Sequence, residues 1–340
     1  MNYKFGGCVL ESELSRLLHL QGKKAKLFLA NKPYESALEP FCLRHLDESG
    51  TLKDLNLRFA TSLINSDAVL VPYELAYWYK DKDYIIYLKS LAEKKKLIIL
   101  NTADFIAKIK IANVVYLRTF LNPGEHATNT IIIPYEVDPL ITARSFIPEF
   151  KISFMGYIPR LFSRRIFYAL KNSFWYPVHG NGAVVRKLMA HKIQKTNLPL
   201  SMVVRNSFSG WKRDQTQNTL MRRFEFINSI IESRYVVCPR GDGNQSLRFY
   251  ETLSAGRVPI LIDTKLKFPL ENRIDYSKFT IMLKINDSAE IWRKKILNFE
   301  SVYSGTKFKN LSLEITELFD RNLSMHNFYR NLFVNFLSED

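Results

Sequence analysis

The sequence predicts an α/β protein built from two open domains, each with a parallel sheet, that face each other across a cleft. Short apolar runs rich in β-branched residues alternate with amphipathic segments along the chain. This alternation is typical of parallel sheets covered by helices. With 340 residues, the chain is also longer than one ordinary hydrophobic core requires, so two domains of about 150 residues each are expected.

Ten apolar runs are the candidate strands, five in each half of the chain. They lie at 26–30, 68–72, 97–100, 114–117 and 131–133, and at 152–155, 200–204, 235–238, 258–262 and 280–283. Helices are expected between them at 51–64, 82–93, 105–112 and 219–232, and the tail over 311–337 is helical and rich in aromatic residues. In the helix at 219–232, a stripe at helical spacing predicts a core-facing surface. The stripe consists of Leu220, Phe224, Ile227 and Ile231.

A proline-punctuated segment marks the expected domain boundary. The turn Asn122-Pro123-Gly124 is followed by Pro134, Pro139 and Pro148, in a stretch without clear periodicity. The predicted domains are therefore 1–145 and 146–320, with a C-terminal helix at 321–340 that could pack against both. Ligands of such sheets sit at the carboxyl ends of the strands.

Composition narrows the class of protein. Hydrophobic residues make up 46% of the chain and aromatic residues 13%, which indicates a folded protein and excludes a disordered one. The formal net charge of +16 fits a nucleic acid, an anionic membrane surface or an anionic substrate as partner. Because no nucleic-acid-binding motif accompanies that charge, no nucleic-acid partner is expected.

Two further features bear on location. No segment approaches 18 uncharged apolar residues, the length of a membrane span. The three cysteines, Cys8, Cys42 and Cys238, are odd in number and far apart, which disfavours a disulfide framework. We therefore expect a cytoplasmic protein, with peripheral association with an anionic membrane left open.

The most informative stretch covers residues 235–263, with the sequence YVVCPRGDGNQSLRFYETLSAGRVPILID. It is typical of a strand, a glycine-containing loop, a helix and a second strand. Ser246 stands at the expected N-cap of the helix and Gly256 at its expected C-cap, which makes the helix about three turns long.

Charged residues cluster where this helix begins. Arg240 lies at the mouth of the loop, while Arg248 and Glu251 project from neighbouring positions of the helical wheel. Unpaired N–H groups at a helix start, together with two guanidinium groups, suit a diphosphate. The carboxylate of Glu251, one turn further in, suits the hydroxyl groups of a ribose.

The same stretch resembles the exostosin-type family of glycosyltransferases. The resemblance rests on a spacing that runs from Pro239-Arg240-Gly241 through Ser246, Arg248, Glu251, Leu253, Ala255 and Val258-Pro259 to Pro269. It implies a GT-B fold of two Rossmann-like domains and transfer of a sugar, with inversion, to a hydroxyl of a glycan or lipid-linked acceptor. The nucleotide-sugar donor, expected to be UDP-linked, is a substrate, and no further cofactor is expected.

By the same resemblance, the second domain binds the donor and the first supplies most of the acceptor side. The expected donor-binding residues are Arg240, Gly241, Ser246, Leu247, Arg248 and Glu251. The candidates for the catalytic base are Asp104, Glu74 and His179, since each lies in a segment expected near the cleft. Their plainer interpretations are a helix N-cap, a first-turn carboxylate and an ordinary turn, respectively.

Metal binding is not expected. No cluster of histidine, cysteine or carboxylate residues has metal-ligand spacing. Asp81-Lys82-Asp83 mimics the Asp-x-Asp of metal-dependent glycosyltransferases, but it stands at the start of a predicted helix.

Two alternatives remain at this point. Gly241-Asp242-Gly243 with Ser246, and Asp263 closing the next strand, approach the dinucleotide fingerprint of an NAD-dependent oxidoreductase. A non-enzymatic protein that binds glycans or nucleic acid would also explain the positive charge. In that case Arg248 and Glu251 would form an ordinary ion pair within one helix.

Overall fold

A computed structural model describes residues 27–30, 62–71, 73–102, 109–125, 128–158, 182–205 and 217–333. These residues form two compact units, each with its own five-stranded parallel sheet. Unit 1 takes its described residues from 1–119, 126–133 and 326–340, and unit 2 from 120–125 and 134–325. The predicted fold class, an α/β protein with two Rossmann-like parts, is confirmed by these two sheets.

Unit 1 has its strands in sequential order, β1 to β5. The strands are β1 (Leu27–Leu29), β2 (Ala68–Val71), β3 (Lys96–Asn101), β4 (Val114–Arg118) and β5 (Thr130–Ile132), and the described helices are α1 (Leu75–Trp78) and α2 (Lys82–Ala92). β2 is fully buried and β3 almost so, as expected of parallel strands covered on both faces. Helix α2 begins where the side chain of Asp81 accepts a hydrogen bond from the Tyr84 N–H.

Unit 2 contains the strands β6 (Ile152–Tyr157), β7 (Leu200–Arg205), β8 (Tyr235–Val237), β9 (Val258–Ile262) and β10 (Ile281–Leu283). Their order across the sheet is β10-β9-β8-β6-β7, and all pairs are parallel. The chain steps outward from β6 to β7 and then returns to the other side of β6 to form β8. This reversal creates a topological switch point between β6 and β8, the place where open α/β sheets bind ligands.

The helices of unit 2 surround this sheet. They are α3 (Gly182–Gln194), α4 (Gln217–Ile231), α5 (Leu247–Ser254), α6 (Ala289–Val302) and α7 (Thr306–Leu318), followed by a π-helical turn at Phe319–Leu323, while α8 (Met325–Phe333) continues into unit 1. No helix within the described ranges combines the length and the apolar composition needed to cross a membrane.

The end of α5 is fixed by the glycine that the sequence predicts there. Gly256 has φ +70°, its N–H donates to the Leu253 carbonyl, and the Arg257 N–H donates to the Thr252 carbonyl. These two bonds form a Schellman motif, which requires a residue with positive φ after the helix. Helix α5 therefore has eight residues, which is shorter than the three turns expected.

Arg257 links several segments at the amino-terminal end of the unit 2 sheet. Its side chain is fully buried and donates to the carbonyls of Ala143, Phe146 and Ile231. Burial lowers the pKa of Arg257 to about 10, so the guanidinium stays charged near neutral pH. These bonds hold the 3₁₀ turn at Ile141–Ser145 against α4 and β9, which explains why residues 134–145 lie in unit 2.

Two helix predictions are wrong in part. Leu220 and Phe224 of the expected core-facing stripe are each 59% exposed, whereas Ile227 and Ile231 pack against the core. Only the second half of α4 lies over the sheet, and periodicity defines a helix face without showing what covers it. Residues 109–112 are not helical, while most of the expected helices at 51–64 and 105–112 lie outside the described residues.

Replacing Gly256 with alanine is expected to destabilise unit 2 by about 2–4 kcal/mol, measured by urea denaturation. The new Cβ would force a positive φ on alanine and would lie 2.4 Å from Ser312 Oγ. Gly305→Ala is the matched control, since Gly305 has φ +60° but nothing within 4 Å of the added Cβ. An equal loss in both variants would show that the contact with Ser312 contributes nothing.

Candidate functional site

The loop between β8 and α5 is held rigidly by its own buried amide. The Nδ2 of Asn244 donates to the carbonyls of Leu121 and Thr264, and its Oδ1 accepts from the Thr264 hydroxyl at 2.7 Å. The Gly241 N–H donates to the Gln245 carbonyl at 2.9 Å and closes the loop on itself. The loop therefore has a defined backbone at the carboxyl end of β8.

The glycines of this region permit close packing between protein groups. A Cβ on Gly243 would lie 2.6 Å from the Phe120 ring, and a Cβ on Gly182, the first residue of α3, would lie 2.0 Å from the Gly241 carbonyl oxygen. Contacts within the protein therefore account for glycine at positions 243 and 182. Gly241 is not constrained in this way, since a Cβ there would meet nothing closer than 3.7 Å.

Arg248 lies at the switch point of the sheet. Its guanidinium donates to the carbonyl of Val237 at the end of β8 (3.1 Å) and to that of Met155 in β6 (2.5 Å). The rings of Phe154 and Phe226 flank it, with their centroids 4.9 and 5.1 Å away. Burial lowers the pKa of Arg248. Within the described part of the chain, no carboxylate forms an ion pair with it, so its charge is not neutralised by direct contact.

Glu251 is almost completely buried, with 1% of its surface exposed. Its Oε1 forms an ion pair with Arg223 of α4 at 2.5 Å, while its Oε2 is buried and has no hydrogen-bond partner among the residues described. The expected alternative, an ion pair with Arg248 within α5, is therefore wrong. Because an unsatisfied buried carboxylate oxygen is costly, this atom is a candidate for ligand contact.

Arg240 lies where the loop leaves β8. It is 3% exposed, and its guanidinium donates to the Asp242 carbonyl at 3.0 Å. Burial lowers the pKa of Arg240 to about 10, so it remains a cation near neutral pH. Its own carbonyl accepts a hydrogen bond from Arg186 of α3 at 3.0 Å, which fixes the start of the loop.

The start of α5 offers polar groups to a ligand. Ser246 occupies the N-cap with φ −133°, but its hydroxyl makes no capping hydrogen bond. Ser246, Leu247 and Gly241 are all partly exposed, and first-turn N–H groups of a helix lack acceptors within the helix. The loop and helix start thus bring Arg240, Gly241, Ser246, Leu247, Arg248 and Glu251 into one region of unit 2.

Glu74 of unit 1 is engaged with a neighbouring strand. Both of its carboxylate oxygens accept from the Thr102 N–H, at 3.0 and 2.9 Å, and Oε2 also accepts from the Thr102 hydroxyl at 2.6 Å. Thr119 then donates to the Thr102 carbonyl at 3.2 Å. These bonds join the carboxyl ends of β2, β3 and β4.

The other candidates for a base or a metal site fall into two groups. Asp104 and His179 lie outside the described residues, so their roles stay predictions. Asp81 is the N-cap of α2, in agreement with the helix start predicted at this position. Across the described ranges, no group of three or more histidine, cysteine or acidic residues could hold a metal ion.

Three contributors to the site were missed by sequence reasoning. Arg223, Arg186 and Asn244 gave no local signal, because each acts on an element that is distant in the chain. Arg223 stands 28 positions before its partner Glu251. The only available indication was the pair Arg222-Arg223 within the apolar stripe of α4.

A comparison with protein families identifies the segment that contains this site. Residues 182–299 match the Exostosin GT47 domain, and they include the loop, α5, Arg186 and Arg223. This segment is an exostosin-type glycosyltransferase domain. The two parallel sheets in separate units agree with the two Rossmann-like domains that the resemblance in the sequence implies.

Two curated relatives, both exostosins, are similar to part of the chain. Exostosin-1 from Drosophila melanogaster is 28% identical over 109 residues, which is 31% of this chain and 14% of that protein. The Exostosin-1 homolog from Caenorhabditis elegans is 27% identical over 119 residues, which is 34% of this chain and 31% of that protein. The match thus spans a third or less of each relative's length.

Several solved glycosyltransferases are similar to the chain at much lower sequence identity. A glycosyltransferase from Rickettsia africae has a TM-score of 0.34 and 12% identity, over 90% of this chain and 83% of that one. Anabaena HepE in complex with UDP-glucose has a TM-score of 0.37 and 9% identity, over 89% and 97% of the two chains. The assignment of two parallel sheets to this chain comes from its own strand order and register.

Replacing Gly156 with alanine is expected to weaken binding of inorganic pyrophosphate by about 5–30-fold in isothermal titration, without unfolding unit 2. The new Cβ would lie 2.9 Å from the Arg248 Nη2, and the end of this long side chain can move away. Ser153→Ala, on the same strand, is the control, because the Ser153 hydroxyl is buried without a partner in the described structure. Unchanged affinity in the Gly156 variant would mean that the position of Arg248 does not matter for the ligand.

Proposed function

We propose that this protein transfers a sugar from a UDP-linked donor to a hydroxyl group of a glycan or glycolipid acceptor, with inversion and without a metal ion. The observation that carries the proposal is the pair at the start of α5. Arg248 is a cation without an ion-pair partner in the described chain, and Glu251 is a buried carboxylate with one unsatisfied oxygen. A nucleoside diphosphate carries the complementary groups, two phosphates and a ribose diol.

The diphosphate is bound where the loop meets α5. Arg240 and Arg248 contribute positive charge, the Ser246 hydroxyl donates a hydrogen bond, and the backbone N–H of Leu247 borders the same region. Gly241 contributes a small side rather than a donor, because its N–H is bonded to the Gln245 carbonyl. A helix N-terminus favours anions through its dipole and its free N–H groups. Burial strengthens these interactions, because the local dielectric constant is lower than in water.

The ribose is bound by Glu251. A charged carboxylate accepts two hydrogen bonds from a vicinal diol, and Oε2 is the oxygen that no described protein group uses. Since Oε1 is already bound to Arg223, the ribose contact completes the carboxylate. This explains how a glutamate can stand at a position where only 1% of its surface is exposed.

Catalysis follows from the charge that develops on the leaving group. The acceptor oxygen forms a bond to the anomeric carbon while the bond from that carbon to the phosphate oxygen breaks, so the nucleoside diphosphate leaves with additional negative charge. Arg240, Arg248 and the N–H groups of α5 stabilise that charge more in the transition state than in the ground state. The fixed cations take the role that a metal ion has in other transferases.

A base must remove the proton of the acceptor hydroxyl. Asp104, Glu74 and His179 are the candidates. Glu74 already binds Thr102 through both oxygens, and this contact supports a positioning role at the carboxyl edge of the unit 1 sheet. Asp104 and His179 are therefore the first two residues to replace in a search for the base.

Glu251→Gln is expected to weaken UDP binding by about 10–100-fold, because a charged hydrogen bond to the ribose is lost. Wild-type protein should lose a similar factor when 2′,3′-dideoxy-UDP replaces UDP, whereas the variant should lose little more. Isothermal titration of both ligands against both proteins gives the coupling between the residue and the diol. If the substitution and the removal of the hydroxyl groups weaken binding by factors that simply multiply, Glu251 does not bind the ribose.

Arg248→Met is expected to weaken UDP binding by at least about tenfold and to leave the much weaker binding of uridine unchanged, because only UDP carries the diphosphate. Arg321→Met is the control, since Arg321 forms an exposed ion pair with Glu317 on the helix surface. Thermal stabilisation by NAD but not by UDP would contradict the transferase and favour the oxidoreductase.

Transfer is expected to continue at nearly the same rate, within about twofold, after dialysis against EDTA, because side-chain cations stabilise the leaving group. The measurement is the release of UDP from a panel of UDP-sugars, which also identifies the sugar. Complete loss of turnover in EDTA, with recovery on addition of a divalent cation, would overturn the metal-independent mechanism.

A further inference from the structure

Arg223 makes the direct ionic contact of Glu251. It extends from α4 and places its Nη1 2.5 Å from Glu251 Oε1, while its guanidinium packs over the Phe226 ring at 5.4 Å. The side chain of Arg223 is 34% exposed and that of Glu251 is 1% exposed. The ion pair therefore joins a partly solvated cation to an almost completely buried carboxylate.

Few other charged groups face this carboxylate. Arg248, on the same helix, favours its charged form from a greater distance, and Asp138, in the segment after β5, disfavours it. The neighbouring Cys238 thiol is neutral, because burial raises its pKa to about 12. The hydrogen bonds of Arg248 go to two strand carbonyls, so Arg223 supplies the ion pair.

We infer that Arg223 is a positioning residue for the donor: it keeps Glu251 ionised and holds Oε1, so that Oε2 alone is presented to the ribose. The inference rests on the proposed function, because it assumes that Glu251 binds the ribose. It assigns part of the donor site to α4, a helix that has no residue in the motif between β8 and α5.

The expected pH dependence follows from the surroundings of Glu251. Burial raises the pKa of the Glu251 carboxyl, and Arg223 opposes that rise. Without Arg223 the pKa rises further, so a larger fraction of Glu251 is protonated at any given pH. A neutral carboxyl is a weaker acceptor than a carboxylate. The loss of donor affinity should therefore be largest at low pH and should shrink as pH rises.

The test is the UDP affinity of Arg223→Met relative to wild type at pH 6.5, 7.5 and 8.5. Because both proteins bind the same ligand, the ratio cancels the ionisation of UDP itself. We expect the variant to bind about tenfold more weakly at pH 6.5, with the deficit falling to about threefold at pH 8.5. Arg223→Lys, which keeps a cation, should show a smaller deficit and a flatter profile.

Two further variants separate charge from packing. Arg223→Met combined with Glu251→Gln should give a deficit that does not change with pH, because no carboxyl remains to titrate. Arg222→Met is the matched control on the same helix, since Arg222 is exposed and forms no ion pair within the described ranges. The ratio of its UDP affinity to that of the wild type should stay near one at each pH. Circular dichroism verifies that each variant is folded.

The outcomes distinguish the inference from the function beneath it. A deficit in Arg223→Met that is the same at every pH, or no deficit at all, overturns the positioning role and leaves the transferase proposal standing. Failure of the wild-type protein to bind UDP, or full affinity in Glu251→Gln, overturns the ribose site and with it this inference.

Discussion

The structure of the candidate site depends on one constraint, the reversal of the chain between β6 and β8. Parallel strands that are neighbours in space but not in sequence leave their carboxyl ends without a connecting loop between them. Arg248 occupies that place and donates to a carbonyl from each side, at Met155 and Val237. The same guanidinium thus links β6 to β8. It also places a positive charge beside the loop and the start of α5.

This double role limits how the residue can vary. Arginine has five N–H donors in a planar arrangement, so it can satisfy two carbonyls and still face a ligand, which lysine cannot do in the same geometry. The aromatic rings of Phe154 and Phe226 flank the cation without neutralising it, and Arg248 stays partly exposed. Hydrogen bonds and aromatic contacts thus stabilise the Arg248 guanidinium at a place where burial alone would disfavour its charge.

Local sequence patterns were sufficient to predict the strands and the ends of α5. They were not sufficient to predict the contacts that the side chains of α5 make with other elements. All ten candidate strands correspond to strands of the structure within two residues at each end, because apolar β-branched runs define buried strands locally. Ser246 at the N-cap and Gly256 after the helix follow from backbone chemistry. The partner of Glu251 and the carbonyls bound by Arg248 could not be predicted, because they come from elements that only the sheet order brings together. The exposure of Leu220 and Phe224 likewise depends on how far α4 extends beyond the sheet.

The amide of Asn244 has a consequence for the thermodynamics of ligand binding. With three hydrogen bonds to Leu121 and Thr264, it fixes the backbone of the loop in the folded protein without help from a ligand. Ordering a residue costs about 1–2 kcal/mol of conformational entropy, and here that cost falls on folding. Association with a diphosphate at this loop therefore avoids the entropy loss that a disordered glycine-containing segment would incur.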